Sequence, residues 1–331
     1  IALDAMGGDL GHGVVVEAAV KSLARFDDIE LILVGEEALI SEELSRLKHN
    51  DHPRLSIQHA SQVVSMDDDP RSALRNKKDS SMRVAINLVK SGAANACVSS
   101  GNTGALMATA KFVLKMLPGI DRPAIIAEIP SIDGSLHMLD LGANAVCTAE
   151  QLFQFAVMGS LVAGDIKSID APRVALLNIG VEDTKGNDTV REAAALLDAS
   201  SLNYIGFIEG NELFSGRADV VVTDGFSGNV ALKSMEGLAG LTRHYMRRAF
   251  SRNWFARLQA ILAAPALRRL AMETDTRRYN GATLAGLNGI VIKSHGSADA
   301  VAFQHAIDTA VIELENQLPE QIGKLLRKET A

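Results

Sequence analysis

Ala96-Cys97-Val98-Ser99-Ser100-Gly101-Asn102-Thr103-Gly104 is the stretch on which the fold turns. An unbroken apolar run at 96–98 passes through small polar residues and two glycines into a helical pattern reaching about residue 115. Continuous apolar residues, without alternation, mark a strand covered on both faces. A glycine turn from such a strand into a helix is the repeating unit of a largely parallel α/β sheet. The unit recurs along the chain. Apolar runs at 1–3, 31–34, 138–141, 174–177, 204–207, 220–222 and 290–292 are read as strands. Helical patterns follow at about 14–24, from 82, from 149 and over 298–316. The expectation is a three-layer α/β/α fold with a mostly parallel sheet, forming a single unit over 1–331 with a helical arm at about 241–280. Ligands of such sheets bind beyond the carboxyl ends of the strands.

Composition narrows the function. Hydrophobic residues make up 47% of the 331 and aromatics only 4%, so the core is expected to be aliphatic. The formal charge is -7, which argues against nucleic acid as the main partner. Two cysteines, Cys97 and Cys147, are too few for a disulfide framework. The sequence opens on a strand pattern rather than a signal peptide, and it lacks an apolar run of about 18 residues. A cytoplasmic setting is expected, with contact at the inner face of the membrane left open.

Seven loops carry the unusual residues, nearly all of them expected at strand ends. They hold Asp4, Gly7 and Gly8; Lys78, Ser80 and Ser81; Ser100, Asn102 and Thr103; Asn144; Lys185 between Thr184 and Gly186; Asp224 and Asn229; and His295. Glycines let backbone N–H groups approach an anion, and helix starts offer further free N–H groups. Each loop alone also reads as a capped turn. The sequence lacks C-x-x-C, H-E-x-x-H, G-x-S-x-G and a Walker ending, and its acids lack metal-ligand spacing. No metal and no nucleotide cofactor are expected. Cys97 sits inside an apolar run, and buried packing is its expected role.

Taken in chain order, these loops resemble the PlsX family, the acyl-acyl carrier protein:phosphate acyltransferases of bacterial phospholipid synthesis. The resemblance rests on DAMGGD at 4–9, KKDSSM at 77–82, SGNTGALMA at 100–108, IDRPAI at 120–125 and LDLGAN at 139–144. It continues through LLNIG at 176–180, EDTKGN at 182–187, DGFSGNV at 224–230 and KSHGSADAVAF at 293–303. The chain departs from the family pattern at Cys147-Thr148-Ala149 and over 209–216. The resemblance implies an isocitrate/isopropylmalate dehydrogenase-like fold, a homodimer, acyl carrier protein as partner, and an acyl phosphate passed to a membrane glycerol-3-phosphate acyltransferase.

Phosphate is an anion near neutral pH, so it attacks a thioester without a strong base. Such an enzyme needs positioning and oxyanion stabilisation. Ser100, Asn102 and Thr103 are assigned to phosphate or carbonyl contact, Lys185 to fixed positive charge and Asn229 to neutral donation. Lys78, Ser80 and Ser81 complete the pocket, with Asp4, Gly7, Gly8, Asn144 and Asp224 as further substrate-binding positions. His295 either protonates the leaving thiolate or positions substrate. Three other readings compete: a phosphotransacetylase using coenzyme A, a hydroxy-acid dehydrogenase needing nicotinamide and metal, and a non-catalytic acyl-carrier-binding regulator.

The segment 241–280 stands apart. It holds nine arginines and two acidic residues, a local charge of +7, with Trp254, Phe255, Leu258 and Leu262 between the arginines. Apolar residues with surplus arginine suit a helix on an anionic surface. Arg247, Arg248 and Arg252 are expected to dock carrier protein, and the apolar four to touch lipid. The other reading is an arm that buries its apolar side against a second copy.

Overall fold

The computed structural model describes residues 1–167, 169–273 and 275–329. Its strands are β1 Ala2–Asp4, β2 Leu31–Gly35, β3 Leu55–His59, β4 Ala96–Ser99, β5 Ala124–Ser131, β6 Gly134–Leu139, β7 Val174–Leu177, β8 Tyr204–Ile208, β9 Val220–Val222, β10 Ala282–Ala285 and β11 Ile290–Lys293. They form one sheet in the order β3-β2-β1-β4-β11-β10-β5-β6-β9-β7-β8. Among the described residues seven strand pairings are parallel and three antiparallel. The α/β expectation is met.

The strand-end loops do not all leave one edge of the sheet. The three antiparallel pairings lie together, at β11–β10, β10–β5 and β5–β6. Three successive reversals leave β6, β7, β8 and β9 running opposite to β1, β2, β3, β4 and β11. Strand-end loops therefore form two groups, one for each half of the sheet. Three strands escaped the sequence reading: β3, β5 and β10. β3 is an edge strand with no buried residue. β5 ends in a half-exposed hairpin with β6, and β10 is only four residues long. β3 and β10 lack the continuous apolar run that marked the others, whereas β5 opens with one at 124–127 that the sequence reading passed over.

Alternate residues of the first half face opposite layers. Leu3, Leu33, Val98 and Ile292 pack with Val15, Val16, Phe303 and Ile307 from the helices His12–Leu23 and Ala300–Glu315. Ala2, Cys97 and Val291 pack on the other face with Met82, Ile86, Leu106 and Leu114 from Ser81–Ser91 and Thr103–Leu114. Phe155 and Phe303 are the largest fully buried side chains, and nearly all the rest are aliphatic. Burying one such phenyl ring contributes about 1.5–3 kcal/mol. In the second half, Leu139, Val174, Leu176, Val220 and Val222 pack on the helix Ala149–Lys167 through Phe155 and Ala156.

The arm begins earlier than its composition suggested. One helix, Gly225–Ser251, leaves the end of β9, followed by Trp254–Leu262 and Ala264–Glu273. The chain breaks at Ala263, two residues before Pro265, where the proline ring disfavours continued helix. The last two helices bury no residue, and Trp254 is 77% exposed. The return leg is anchored. Arg277 pairs with Asp275 and with Asp299, and Asn280 donates to Ser294 Oγ at 2.8 Å and to the Ala302 carbonyl at 2.7 Å. No helix among the described residues is long and apolar enough to cross a membrane.

Candidate active site

Strand register builds the first loop group. Ser99 at the end of β4 is the register partner of both Asp4 on β1 and Lys293 on β11. The Asp4 carboxylate is buried and accepts from Ser99 Oγ at 2.6 Å. Burial holds its pKa above the usual carboxylate range, opposed by hydrogen bonds from Ser81, Ser99 and the N–H groups of Met6 and Gly7. Gly7 and Gly8 press against the next loop. A Cβ at Gly7 would lie 2.7 Å from the Gly101 nitrogen, and one at Gly8, whose φ is 86°, would lie 2.6 Å from Ser100 Oγ. Only glycine permits that approach.

The sequence-predicted residues of this group divide sharply. Asn102 caps the helix Thr103–Leu114 by accepting from Ala105 N at 3.0 Å. Its amide nitrogen donates to the Met66 and Asp68 carbonyls at 2.7 and 3.1 Å. The Asn102 side chain is therefore committed to structure on both sides. Ser80 caps Ser81–Ser91 by accepting from Arg83 N, and donates to the Lys77 carbonyl at 2.9 Å. Thr103 and Gly104 lie exposed in the first helical turn, where backbone N–H groups have no intrahelical acceptor. Lys78 is exposed and forms no ion pair among the described residues, while Lys77 is held by Asp68 at 2.5 Å.

His295 follows β11. Its backbone N–H donates to Asn280 Oδ1 at 2.9 Å, so the returning arm positions it. Nδ1 accepts from Ser297 N at 3.1 Å, which places the proton of the neutral ring on Nε2. Burial, with the charges of Lys233 and Lys293, lowers its pKa against the opposing pull of Glu236 and Asp9. That shift favours the neutral ring, with Nε2 carrying its proton.

The second group is built the same way. Leu139 on β6 and Leu176 on β7 are both register partners of Val222 on β9, so three loops leave the sheet side by side. Asp140 is their hub. Its fully buried carboxylate accepts from the N–H groups of Ile125, Gly142, Ala143 and Asn144 and from Asn144 Nδ2, at 2.7 to 3.2 Å. Asn144 Nδ2 also donates to the Pro123 carbonyl at 2.8 Å. Asp224 caps the arm helix through Ser227 N at 2.8 Å and Ser227 Oγ at 2.9 Å. Asn144 and Asp224 thus shape the loops. Asn229 differs: it is exposed and its amide makes no hydrogen bond among the described residues. Lys185 is likewise exposed and forms no ion pair among the described residues. Its loop is fixed from below by Asn178 Nδ2, which donates to the Lys185 carbonyl at 3.2 Å, and by Gly186, whose φ is 87°.

The arm helix joins the two groups. It starts at the Asp140 hub, and further along it Lys233 and Glu236 act electrostatically on His295, as Lys233 does on Lys293. Sequence reasoning missed Asp140 and Lys293, although both lay inside quoted motifs. The available signal was a charged residue closing an otherwise apolar strand, which a buried strand tolerates only with partners.

The chain matches the family described as fatty acid synthesis protein over residues 1–321. It is 58% identical over 326 residues to a phosphate acyltransferase of Alkalilimnicola ehrlichii, covering 98% of this chain and 95% of that protein. The chain belongs to the PlsX family. A second member, the phosphate acyltransferase of Nitrosococcus oceani, is 57% identical over 323 residues, with the same coverage. Among solved structures, a phosphotransacetylase from Streptococcus pyogenes matches with a TM-score of 0.60 at 19% identity, covering 96% of this chain and 94% of that one. That likeness establishes the shared fold.

Burial favours the protonated thiol at both cysteines of this PlsX member. Cys97 is fully buried, which pushes its thiol far up, and burial pushes Cys147 up to about 11. A Cys97→Ser, Cys147→Ser variant is expected to keep native-like turnover, with about 1–3 kcal/mol of stability lost to the buried hydroxyl. Mass-spectrometric capture of an acyl-cysteine would refute this. Among the described residues no group of three or more His, Cys, Asp or Glu is placed to hold a metal ion.

Proposed function

We propose that this protein transfers a fatty acyl group from acyl carrier protein to inorganic phosphate, releasing acyl phosphate. The observation that carries the reading is the pair of uncommitted donors, Lys185 on the loop after β7 and Asn229 in the first turns of the helix after β9, beside loops that Asn144 and Asp224 are consumed in shaping. Family membership supports it. A phosphate oxygen attacks the thioester carbon, and a C–O bond forms. The oxyanion draws on preorganised donors, and the C–S bond then breaks. A thiol of ordinary pKa about 8.5 leaves as thiolate without a dedicated acid. It takes the phosphate hydroxyl proton through solvent. Neutral His295 acts by positioning. Val146 and Ile179 stand exposed on the loops of the second group, and Phe226 and Val230 on the first turns of the arm helix. That apolar rim suits a long acyl chain better than acetyl.

Turnover of purified protein with acyl carrier thioester and phosphate tests the reading. Acyl phosphate formation supports it. Preference for an acyl-coenzyme A donor would favour the phosphotransacetylase reading. Carrier binding without turnover would leave a regulator.

We assign the arm to partners: carrier protein for Arg247, Arg248 and Arg252, and lipid for Trp254, Phe255, Leu258 and Leu262. A homodimer, and delivery of product to a membrane glycerol-3-phosphate acyltransferase, belong to the same proposal, which places the protein in the cytoplasm at the inner membrane face. Reversing the three arginines to Glu is expected to raise the Michaelis constant for carrier thioester severalfold, most at low salt. Leu258→Glu with Leu262→Glu is expected to abolish binding to anionic vesicles while turnover in solution persists. Dissociation of a dimer by the leucine changes would instead assign this face to a second copy.

A further inference from the structure

Lys293 closes β11 at a place where a buried strand has little use for charge. It is 8% exposed, beside Ser99 and in line with Asp4. Nζ donates to the Ser100 carbonyl at 3.3 Å and to the Ser294 carbonyl. The N–H of Gly101 donates to Ser99 Oγ at 3.1 Å, and that hydroxyl is fixed by Asp4. The peptide joining Ser100 and Gly101 is therefore held at both ends, its carbonyl by Lys293 and its N–H by Ser99. Held so, the loop is left with the first-turn N–H groups of Thr103 and Gly104. Gly8 closes in from the other side, 2.6 Å from Ser100 Oγ at the position of its absent Cβ. Such N–H groups are oxyanion donors, and Lys293, the one buried lysine among the described residues, is bonded to the same loop through the Ser100 carbonyl.

We infer that Lys293 is the positioning residue and buried cation of an oxyanion subsite at the 100–104 loop, where phosphate is held before it attacks. The inference rests on the phosphate acyltransferase reading and assigns the first half of the sheet to phosphate, leaving Lys185 and Asn229 to the thioester. Its consequence is a pH dependence. The charged groups facing Lys293 are Asp4 from β1, Asp9 from the following loop and Lys233 from the arm helix, with His295 next to it on its own loop. Burial, the largest influence, lowers the Lys293 pKa to about 8, against the raising effect of Asp4 and Asp9. A base whose pKa is lowered carries its full charge below that value. Oxyanion affinity is therefore full below about pH 8 and falls above it.

The probe is inorganic sulfate, whose charge is constant over this range, titrated calorimetrically into the full chain from pH 6.5 to 9.5 without acyl donor. The native protein is expected to bind with constant affinity to about pH 7.5 and to lose about tenfold per pH unit well above 8. Lys293→Met is expected to bind at least about tenfold more weakly at pH 7, with no inflection. Lys293→Arg is expected to restore binding and keep it flat to pH 9.5. Lys185→Ala is expected to leave the inflection in place. Flat native binding, or native-like sulfate affinity in Lys293→Met, overturns the inference. Should Lys293→Met not fold, the native profile against that of Lys293→Arg decides. Because these measurements need no acyl donor, they stand apart from the turnover assay. A protein that turns over while Lys293→Met leaves the Michaelis constant for phosphate unchanged sinks this inference alone.

Discussion

Lys185→Ala and Asn229→Ala are each expected to lower acyl phosphate formation by about a hundredfold, the loss typical of one preorganised oxyanion donor. Neither should disturb folding. Both side chains are exposed, and neither makes a hydrogen bond among the described residues. The supporting contacts of the Lys185 loop run through its backbone, to Asn178 Nδ2 and, from its N–H, to the Glu182 carbonyl at 2.9 Å. An alanine leaves both intact. Thermal denaturation should therefore coincide with that of the native protein while kcat collapses. Near-native turnover in both variants would remove the second loop group from the reaction.

Gly228→Ala should do the reverse and damage the fold first. A Cβ at Gly228 would lie 1.9 Å from the Asp140 carbonyl oxygen, a backbone atom that no rotamer change can move. Asp140 cannot retreat. Its N–H donates to the Thr223 carbonyl at 2.9 Å, the Thr223 N–H donates to Leu139 at 2.6 Å, and its carboxylate is tied to five donors. The helix start must lift from the hub by more than an ångström. Such a clash belongs to the rare class above about 4 kcal/mol. In a chain of this size that lowers Tm by about 10 °C. Asn229, one residue on, is carried along, and a displacement of that order costs about a further hundredfold in rate. Gly237→Ala in the same helix is the control. Nothing lies within 4 Å of its added Cβ, and it should stabilise the helix by about 0.5–1 kcal/mol. If Gly228→Ala melts with the native protein, the packing of the arm helix on the Asp140 hub is wrong.

Both variants probe the arm's root, and the root explains why the arm matters to the site. Its helix starts beside Asn229, passes Lys233 and Glu236 near His295, and returns through Asn280, which holds the His295 backbone. A partner bound on the exposed face of Trp254–Leu262 is thus connected by continuous backbone to both loop groups.

The sequence by itself determined the local units. The apolar runs ending at Asp4, Ser99, Leu139, Leu177, Val222 and Lys293 are strands because continuous aliphatic residues need cover on both faces, and each glycine loop sits at a strand end as read. Cys97 is buried because it lies within such a run. These properties depend on neighbours a few residues away. The tertiary structure alone decided which way the strands run and which side chains remain free. Direction reverses because β10, at residues 282–285, inserts between β11 and β5, at 124–131, a pairing across some 160 residues that no local pattern encodes. Asn102 and Asn144 looked as available as Asn229, since a committed amide and a free one are the same residue type. Only the carbonyls brought to them by distant segments tell them apart, whereas Asp224 is held locally by Ser227. Lys293 stayed unassigned for the same reason. Its meaning lies in the register that sets it beside Ser99 and in the burial that lowers its pKa, and both exist only once β4 and β11 have paired.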